Sequence, residues 1–373
     1  MNEKIKNVLK KLEDNGYKSF IVGGYVRDTL LNIESFDVDI CTSAEPKEVR
    51  KIFELNNAND DNYGSVSIKD KLYNYDITTY RKEIRYENRR PVEYKYTDSI
   101  EDDVLRRDFT INSLYMDING DIHDTFGGLD DINNKIIRVI GNIESKMIED
   151  PLRMLRAVRF AATLNFELEN NLKSYIKQNK QLIKTLSFTR KKQELDLIFK
   201  SDNKIDGLNL IKELNISDVL DIKIESEVID TIDPLGIWAQ IEVSDEYPFS
   251  NEELDIINKI KKIINYGIID NIILYEYGLY PSMIAANILG YDRNFVSDIY
   301  KGMPIYSLKD IDINGDDIIE LLDIEPSSTI KDIMNDLELK ILNNLLKNNT
   351  EDIKNYIIEN WRKESWTKWY LKH

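Results

Sequence analysis

The segment that most restricts the fold lies between residues 20 and 41. Phe20-Ile21-Val22 runs into Gly23-Gly24, then Tyr25-Val26-Arg27-Asp28. Asp37-Val38-Asp39 follows and leads through Ile40 to Cys41. The pattern predicts a strand, a glycine turn, a short helix and a second strand. Two glycines let backbone N–H groups approach an anion, and the helix start that follows adds a favourable dipole. Arg27 supplies a guanidinium fork that fits phosphate. Side chains alternate along a strand, so Asp37 and Asp39 project to one side. Two crowded carboxylates repel unless a cation sits between them, and hard oxygen donors suit Mg²⁺ held jointly with a substrate's phosphates. That is the arrangement for metal-assisted attack on a phosphoryl group. Alone, a double glycine reads as a turn and D-x-D as a solvated strand end. In this order and spacing they read as a site.

The rest of the chain divides by pattern. Ile5, Val8, Leu9 and Leu12 recur at helical spacing and predict an opening helix ended by Gly16. Ser65–Lys69 and Leu72–Thr79 predict a strand pair. Beyond about residue 145 strand signals fade and helical runs rich in Ile, Leu, Lys, Asn and Asp take over. The expected fold is α+β: a small mixed sheet with helices up to about residue 140, then helices to the end, with a change of pattern and no visible hinge between them.

Composition excludes several chemistries. A single cysteine, Cys41, rules out a disulfide framework and a cysteine zinc site. Two histidines, His123 and His373, leave little for a multi-histidine metal site or a His-dependent triad. His123 reads as structural and Cys41 as a small buried residue. No apolar run approaches the ~20 residues that span a bilayer, and the charged N-terminus is no signal peptide. A cytoplasmic protein with no membrane partner is expected.

The net charge of −17 argues against binding nucleic acid over the whole surface. The charge is uneven, however. Residues 1–150 carry 22 basic and 30 acidic residues, 151–200 carry 11 and 4, and 201–373 carry 17 and 33. One cationic segment therefore sits within an acidic chain.

IVGGYVRDTLL followed by FDVDICTSA resembles the head of the DNA polymerase β-type nucleotidyltransferase superfamily. Within it the match is to the class II tRNA nucleotidyltransferase and bacterial poly(A) polymerase family. Leu105-Arg106-Arg107-Asp108-Phe109-Thr110-Ile111-Asn112 and Glu149-Asp150-Pro151-Leu152-Arg153-Met154-Leu155-Arg156-Ala157-Val158-Arg159-Phe160 match two further motifs of that group. The resemblance is specific over about 20–200, and it implies a nucleotidyltransferase head over 1–140, a helical neck over 141–205 and a helical body and tail over 206–373. It implies that Asp37 and Asp39 bind catalytic Mg²⁺, with Asp76 as the candidate third carboxylate. It implies nucleotide contacts from Gly24, Arg27, Arg107, Arg156 and Arg159, and gives Asp108 and Asn112 a part in recognising ribose or fixing their loop.

Asp150 and Arg153, three apart on one predicted helix, are expected to be neighbours on one face. Aspartate accepts and arginine donates. Cytosine and adenine each set an exocyclic amine beside a ring-nitrogen acceptor, so one Asp–Arg pair suits both. Uracil and guanine present a carbonyl beside N–H and mismatch it. Leaving a buried polar group unpaired costs ~1–3 kcal/mol, enough to discriminate. The family uses these positions as a protein template for CTP and ATP. Arg159, turned half-way round the helix from Asp150, is expected off that stripe, and Arg156 and Arg159 to reach phosphates or structural carboxylates.

Thr189-Arg190-Lys191-Lys192-Gln193-Glu194 falls where the group carries a neck-buttressing motif, with Thr189 in place of its first glutamate. Tyr80–Pro91 resembles the flexible loop that CCA-adding enzymes need for the final A. Trp361–His373 holds three of the four tryptophans among basic residues, a composition for docking a last helix or stacking on nucleic acid.

The resemblance implies CCA addition to tRNA 3′ acceptor ends from CTP and ATP. The alternatives are a poly(A) polymerase, a CC-only or A-only enzyme and, more distantly, a non-catalytic RNA-binding protein. Paired metal carboxylates argue against the last.

Overall fold

The computed structural model describes residues 1–55, 64–87, 90–225 and 227–362. The first helix, α1 (Glu3–Asp14), buries Ile5, Leu9 and Leu12, and Asn2 caps its start. Then come β1 (Ser19–Val22), α2 (Gly24–Leu30), β2 (Asp37–Thr42), α3 (Pro46–Ile52), β3 (Ser65–Lys69) and β4 (Asn74–Thr79). Apart from α3, which was not expected, these agree with the expected elements to within a few residues. With β7 (Tyr115–Met116) and β8 (Ile122–His123) the strands form a six-stranded sheet ordered β3-β4-β2-β1-β7-β8. It is mixed: β2 and β4 run parallel, and the other neighbours are antiparallel.

Between β4 and β7, β5 (Arg81–Glu87) and β6 (Arg90–Tyr96) pair antiparallel as a separate ribbon. The segment expected as a flexible loop is thus largely a two-stranded hairpin; residues 88–89 lie outside the described residues. Alternation of charged with Ile and Tyr residues is a strand pattern that the high charge density masked. Helix α4 (Ile100–Leu105) leads into the Arg106-Arg107 turn. Tyr80, Ile100, Val104 and Tyr115 pack with Val22 and Cys41.

From α5 (Gly128–Asn134) the chain is mainly helical. A two-residue parallel pair joins β9 (Ile136–Ile137) to β10 (Glu167–Leu168). Around it lie α6 (Ile143–Glu149), α7 (Leu152–Leu164), α8 (Asn170–Gln178), α9 (Gln181–Lys184), α10 (Phe188–Lys200), α11 (Lys204–Glu213) and α12 (Ser217–Leu220). Helix α7 packs on α10 and α11, and Gly207 on α11 makes this possible: a Cβ there would stand 2.6 Å from Ile198 and 3.0 Å from Ala162.

Two compact units result. Residues 1–223 with 244–248 form the first, and 224–243 with 249–373 belong to the second. The expected head and neck both lie in the first. The second is helical from Pro234–Gln240 to Thr350–Trp361. Its last helix is tied to its neighbour by Trp361 Nε1 and Tyr356 Oη, which donate to Asp336 at 3.2 and 2.7 Å. The tail beyond residue 362, with His373, lies outside the described residues. Among the described residues no helix is long and apolar enough to cross a membrane.

Candidate active site

Asp37 and Asp39 stand on β2 with buried Val38 between them. The parallel register sets Asp39 opposite Asp76 on β4, and the antiparallel register sets it opposite Val22, the residue before Gly23. Asn74 Nδ2 donates to Asp37 Oδ1 at 2.8 Å, and the Ser67 hydroxyl donates to Asp76. The protein crowds water away from the Asp39 carboxyl and raises its pKa; Arg107 opposes the rise, while Asp76 and Asp37 add to it. Carboxylates that repel one another on adjoining strands fit a hard divalent cation. Among the described residues no three Asp, Glu, His or Cys side chains close around one point.

The glycine turn sets the opposite wall. Gly23 has φ +71°, and a Cβ there would lie 2.7 Å from Arg107 Nη1 and 3.4 Å from Asp39 Oδ2. Only glycine leaves that space, so the guanidinium reaches the mouth of the carboxylate strand. Arg27 on α2 donates through Nη1 to Asn112 Oδ1 at 2.6 Å and through Nη2 to Asp28 at 2.6 Å. Asn112 donates in turn to Asp108 at 3.1 Å, and Arg156 Nε and Nη2 face the other Asp108 oxygen at 2.7 and 2.6 Å. Burial alone would raise the Asp108 pKa. The Arg156 charge, with hydrogen bonds from Asn112, Arg156 and the Phe109 N–H, outweighs it and holds the group down at about 2. Asp108 and Asn112 thus fix their loop.

Phe160 lies beneath three guanidiniums, with Arg27, Arg156 and Arg159 at 5.1, 5.5 and 4.1 Å from its ring centre. A ring face stabilises such cations when they leave water. Arg159 Nε lies 2.8 Å from Glu194 Oε2. Burial lowers the Arg159 pKa and raises that of Glu194, and the opposite charge of each partner works against the shift.

The Asp150–Arg153 reading needs correction. Asp150 is not on one helix with Arg153: it ends α6 in an extended conformation, and α7 begins after Pro151. Its Oδ1 accepts from the Leu152 N–H at 3.1 Å, and both carboxylate oxygens face the guanidinium of Arg190 on α10 at 3.3 and 3.2 Å. Arg153 Nη1 instead donates to the Lys146 carbonyl and to Glu149, each at 2.8 Å. The aspartate caps a helix rather than riding on it, because proline in the first turn starts a new helix. Arg156 and Arg159 meet carboxylates of the protein, Asp108 and Glu194, one of the two outcomes expected for them, and both border the same cavity as Asp150.

These groups line one cavity of about 460 Å³. Gly24, Arg27, Asp39, Arg107, Asp150, Arg153, Arg156 and Arg159 border it, joined by Arg106 and Arg190. Asp37 and Asp76 flank Asp39 on the strands and are not on its wall. Arg190 is the lining residue that the sequence reading assigned only to a structural motif; its place in the cationic 151–200 segment was the available signal.

A strand-borne carboxylate, Asp39, on the wall of an arginine-lined cavity is chemistry suited to a divalent cation beside a phosphate chain. Residues 19–138 match the Poly A polymerase head domain family, and residues 243–357 match a putative tRNA nucleotidyltransferase domain 2. The chain is 32% identical to the CCA-adding enzyme of Ligilactobacillus salivarius, with 95% of each covered, and 31% identical to that of Staphylococcus haemolyticus, with 95% of this chain and 97% of the relative covered. The fold is shared with the Bacillus stearothermophilus CCA-adding enzyme in complex with CTP, at TM-score 0.79, 24% identity and 98% of each chain covered. It is shared too with the Thermotoga maritima enzyme complexed with tRNA, at TM-score 0.71, 20% identity and 96% of each covered. The chain belongs to the family of CCA-adding enzymes. It is a nucleotidyltransferase that depends on a divalent metal.

Proposed function

We propose that the protein adds C, C and A to tRNA 3′ acceptor ends from CTP and ATP, with Mg²⁺ as the metal and the cytoplasm as its compartment. The observation that carries this reading is the single cavity bounded by Asp39 on one side and by Asp150 and Arg153 on the other. A lining shared by these residues supports the reading that one nucleotide meets both the metal-binding and the base-reading groups. Full-length similarity to CCA-adding enzymes favours this over a poly(A) polymerase, whose head-domain likeness covers only part of the chain.

In this reading Asp37 and Asp39 hold the metal and Asp76 adds negative charge beside them. When bound there, the metal would supply Lewis-acid chemistry for the 3′-hydroxyl and the leaving pyrophosphate. Gly24 and its turn admit the triphosphate, and Arg27, Arg107, Arg156 and Arg159 neutralise it. Asp150 accepts from the exocyclic amine of C or A, and Arg153 donates to the ring nitrogen. Head (1–140), neck (141–205) and body with tail (206–373) divide the work: metal chemistry, base reading and tRNA binding.

The test is product length. tRNAs lacking CCA, lacking only A, or complete are each incubated with CTP and ATP. Extension by three, one and no nucleotides is expected, and a long run of A on any RNA would overturn the reading.

A further inference from the structure

Asp103 is fully buried on α4, and no catalytic or binding role has been given to it above. Among the described residues its carboxylate has three partners. Arg106 Nε donates to Oδ1 at 2.9 Å, the backbone N–H of Arg81 reaches the same oxygen at 3.4 Å, and Arg107 Nη2 reaches Oδ2 at 3.4 Å. Arg81 is the first residue of the β5–β6 hairpin. Arg106 and Arg107 both border the cavity. The same turn is held from the other side by α6 and α7: Lys146 Nζ donates to the Leu105 carbonyl at 2.8 Å and Arg153 Nη2 to that of Arg106 at 3.5 Å.

We propose that Asp103 is a positioning residue: its buried carboxylate aims Arg106 and Arg107 into the nucleotide cavity and ties them to the base of the β5–β6 hairpin. Arg107 has its Nε buried with no hydrogen-bond partner among the described residues. Its direction therefore depends on the contact of Nη2 with Asp103 and on the space above Gly23. A long, rotamer-rich side chain held by so few contacts binds an anion well only if something fixes it beforehand. A carboxylate out of water does so strongly, because its hydrogen bonds to guanidinium are charge-assisted. The proposal rests on the reading that Arg107 contacts the triphosphate.

The test uses the full chain with Asp103→Asn, Arg107→Ala and the double variant, reading KM and kcat for CTP and ATP together with Tm. Asp103→Asn keeps the shape and removes the charge. It should raise KM for both nucleotides ~10- to 100-fold, as expected for losing a hydrogen bond between charged groups, with a smaller change in kcat. The double variant should lose less than the product of the two single effects, with any loss beyond Arg107→Ala being the share that acts through Arg106. Unchanged KM in Asp103→Asn beside an impaired Arg107→Ala, or fully additive losses, would overturn the proposal and leave the nucleotide reading intact. Normal KM in Arg107→Ala would overturn both. Asp103→Glu, which restores the charge one methylene further out, should fall between the wild type and Asp103→Asn, and a Glu variant worse than Asn would contradict the proposal. If Asp103→Asn does not fold, the Asp103→Glu and Arg107→Ala cycle must give the same non-additivity.

Discussion

Arg190 sets its two terminal nitrogens against the two carboxylate oxygens of Asp150, at 3.3 and 3.2 Å, across forty residues of sequence. The residue proposed to read the base is therefore oriented by α10 and not by its neighbour Arg153. A fork-on-fork pair fixes the plane of the carboxylate, and a lysine cannot reproduce that. Arg190→Ala should lower kcat/KM for CTP and ATP ~10-fold and raise incorporation of UTP relative to CTP. Arg190→Lys should restore little of the loss. Full activity in Arg190→Lys would mean that only charge matters at this position.

The carboxylates on β2 carry the chemistry in this account. Asp37→Ala and Asp39→Ala should each reduce kcat by several orders of magnitude, with smaller changes in nucleotide affinity, since the arginines that grip phosphate remain. Equilibrium CTP binding beside single-turnover rates checks this, and near-normal turnover in both variants would remove the pair from the site.

Gly23→Ala tests the close approach of Arg107. A positive φ strains any L residue by ~1–2 kcal/mol, and the new methyl group would displace the far end of a flexible side chain. A modest drop in Tm with a clear rise in KM for nucleotide is expected. A drop in Tm with unchanged KM would mean that Arg107 is not held at the turn for binding.

Asp108 gives a pH dependence of stability. Its pKa in the fold is about 2, below an ordinary carboxyl. Its ionised form therefore stabilises the fold fully above about pH 4, by roughly 2–3 kcal/mol, and the contribution fades as pH falls toward 2. Asp108→Asn should lower unfolding free energy by that order at pH 7, and its gap to the wild type should narrow below about pH 4. Urea unfolding of both proteins from pH 7 to pH 3 measures the gap, and a constant gap would mean that charge is not what Asp108 contributes.

Much of the head was legible in the sequence because its signals are local. Gly23-Gly24 marks a forced turn, and the strand alternation puts Asp37 and Asp39 on one side whatever surrounds them. What was not legible depends on contacts far apart in the chain. The break at Asp150 could be suspected from Pro151, but its partner Arg190 is brought in only by the packing of α7 on α10. Asp103, three and four residues before Arg106 and Arg107, sits at helical salt-bridge spacing. Its full burial, which gives the contact its force, follows from the sheet and hairpin around it. The hairpin itself was read as a loop because its charged residues obscured the strand alternation.

The central claim is that Asp150 and Arg153 select the base, and the most direct measurement is kcat/KM for all four nucleotides with folded Asp150→Ala and Arg153→Ala. The account predicts that Asp150→Ala lowers CTP use by a factor matching ~1–3 kcal/mol while discrimination against UTP and GTP falls, because their carbonyls no longer face a carboxylate. It predicts that Arg153→Ala impairs CTP and ATP together. An unchanged ratio of CTP to UTP use in both folded variants would contradict it and leave the two residues as structural links around α6 and α7.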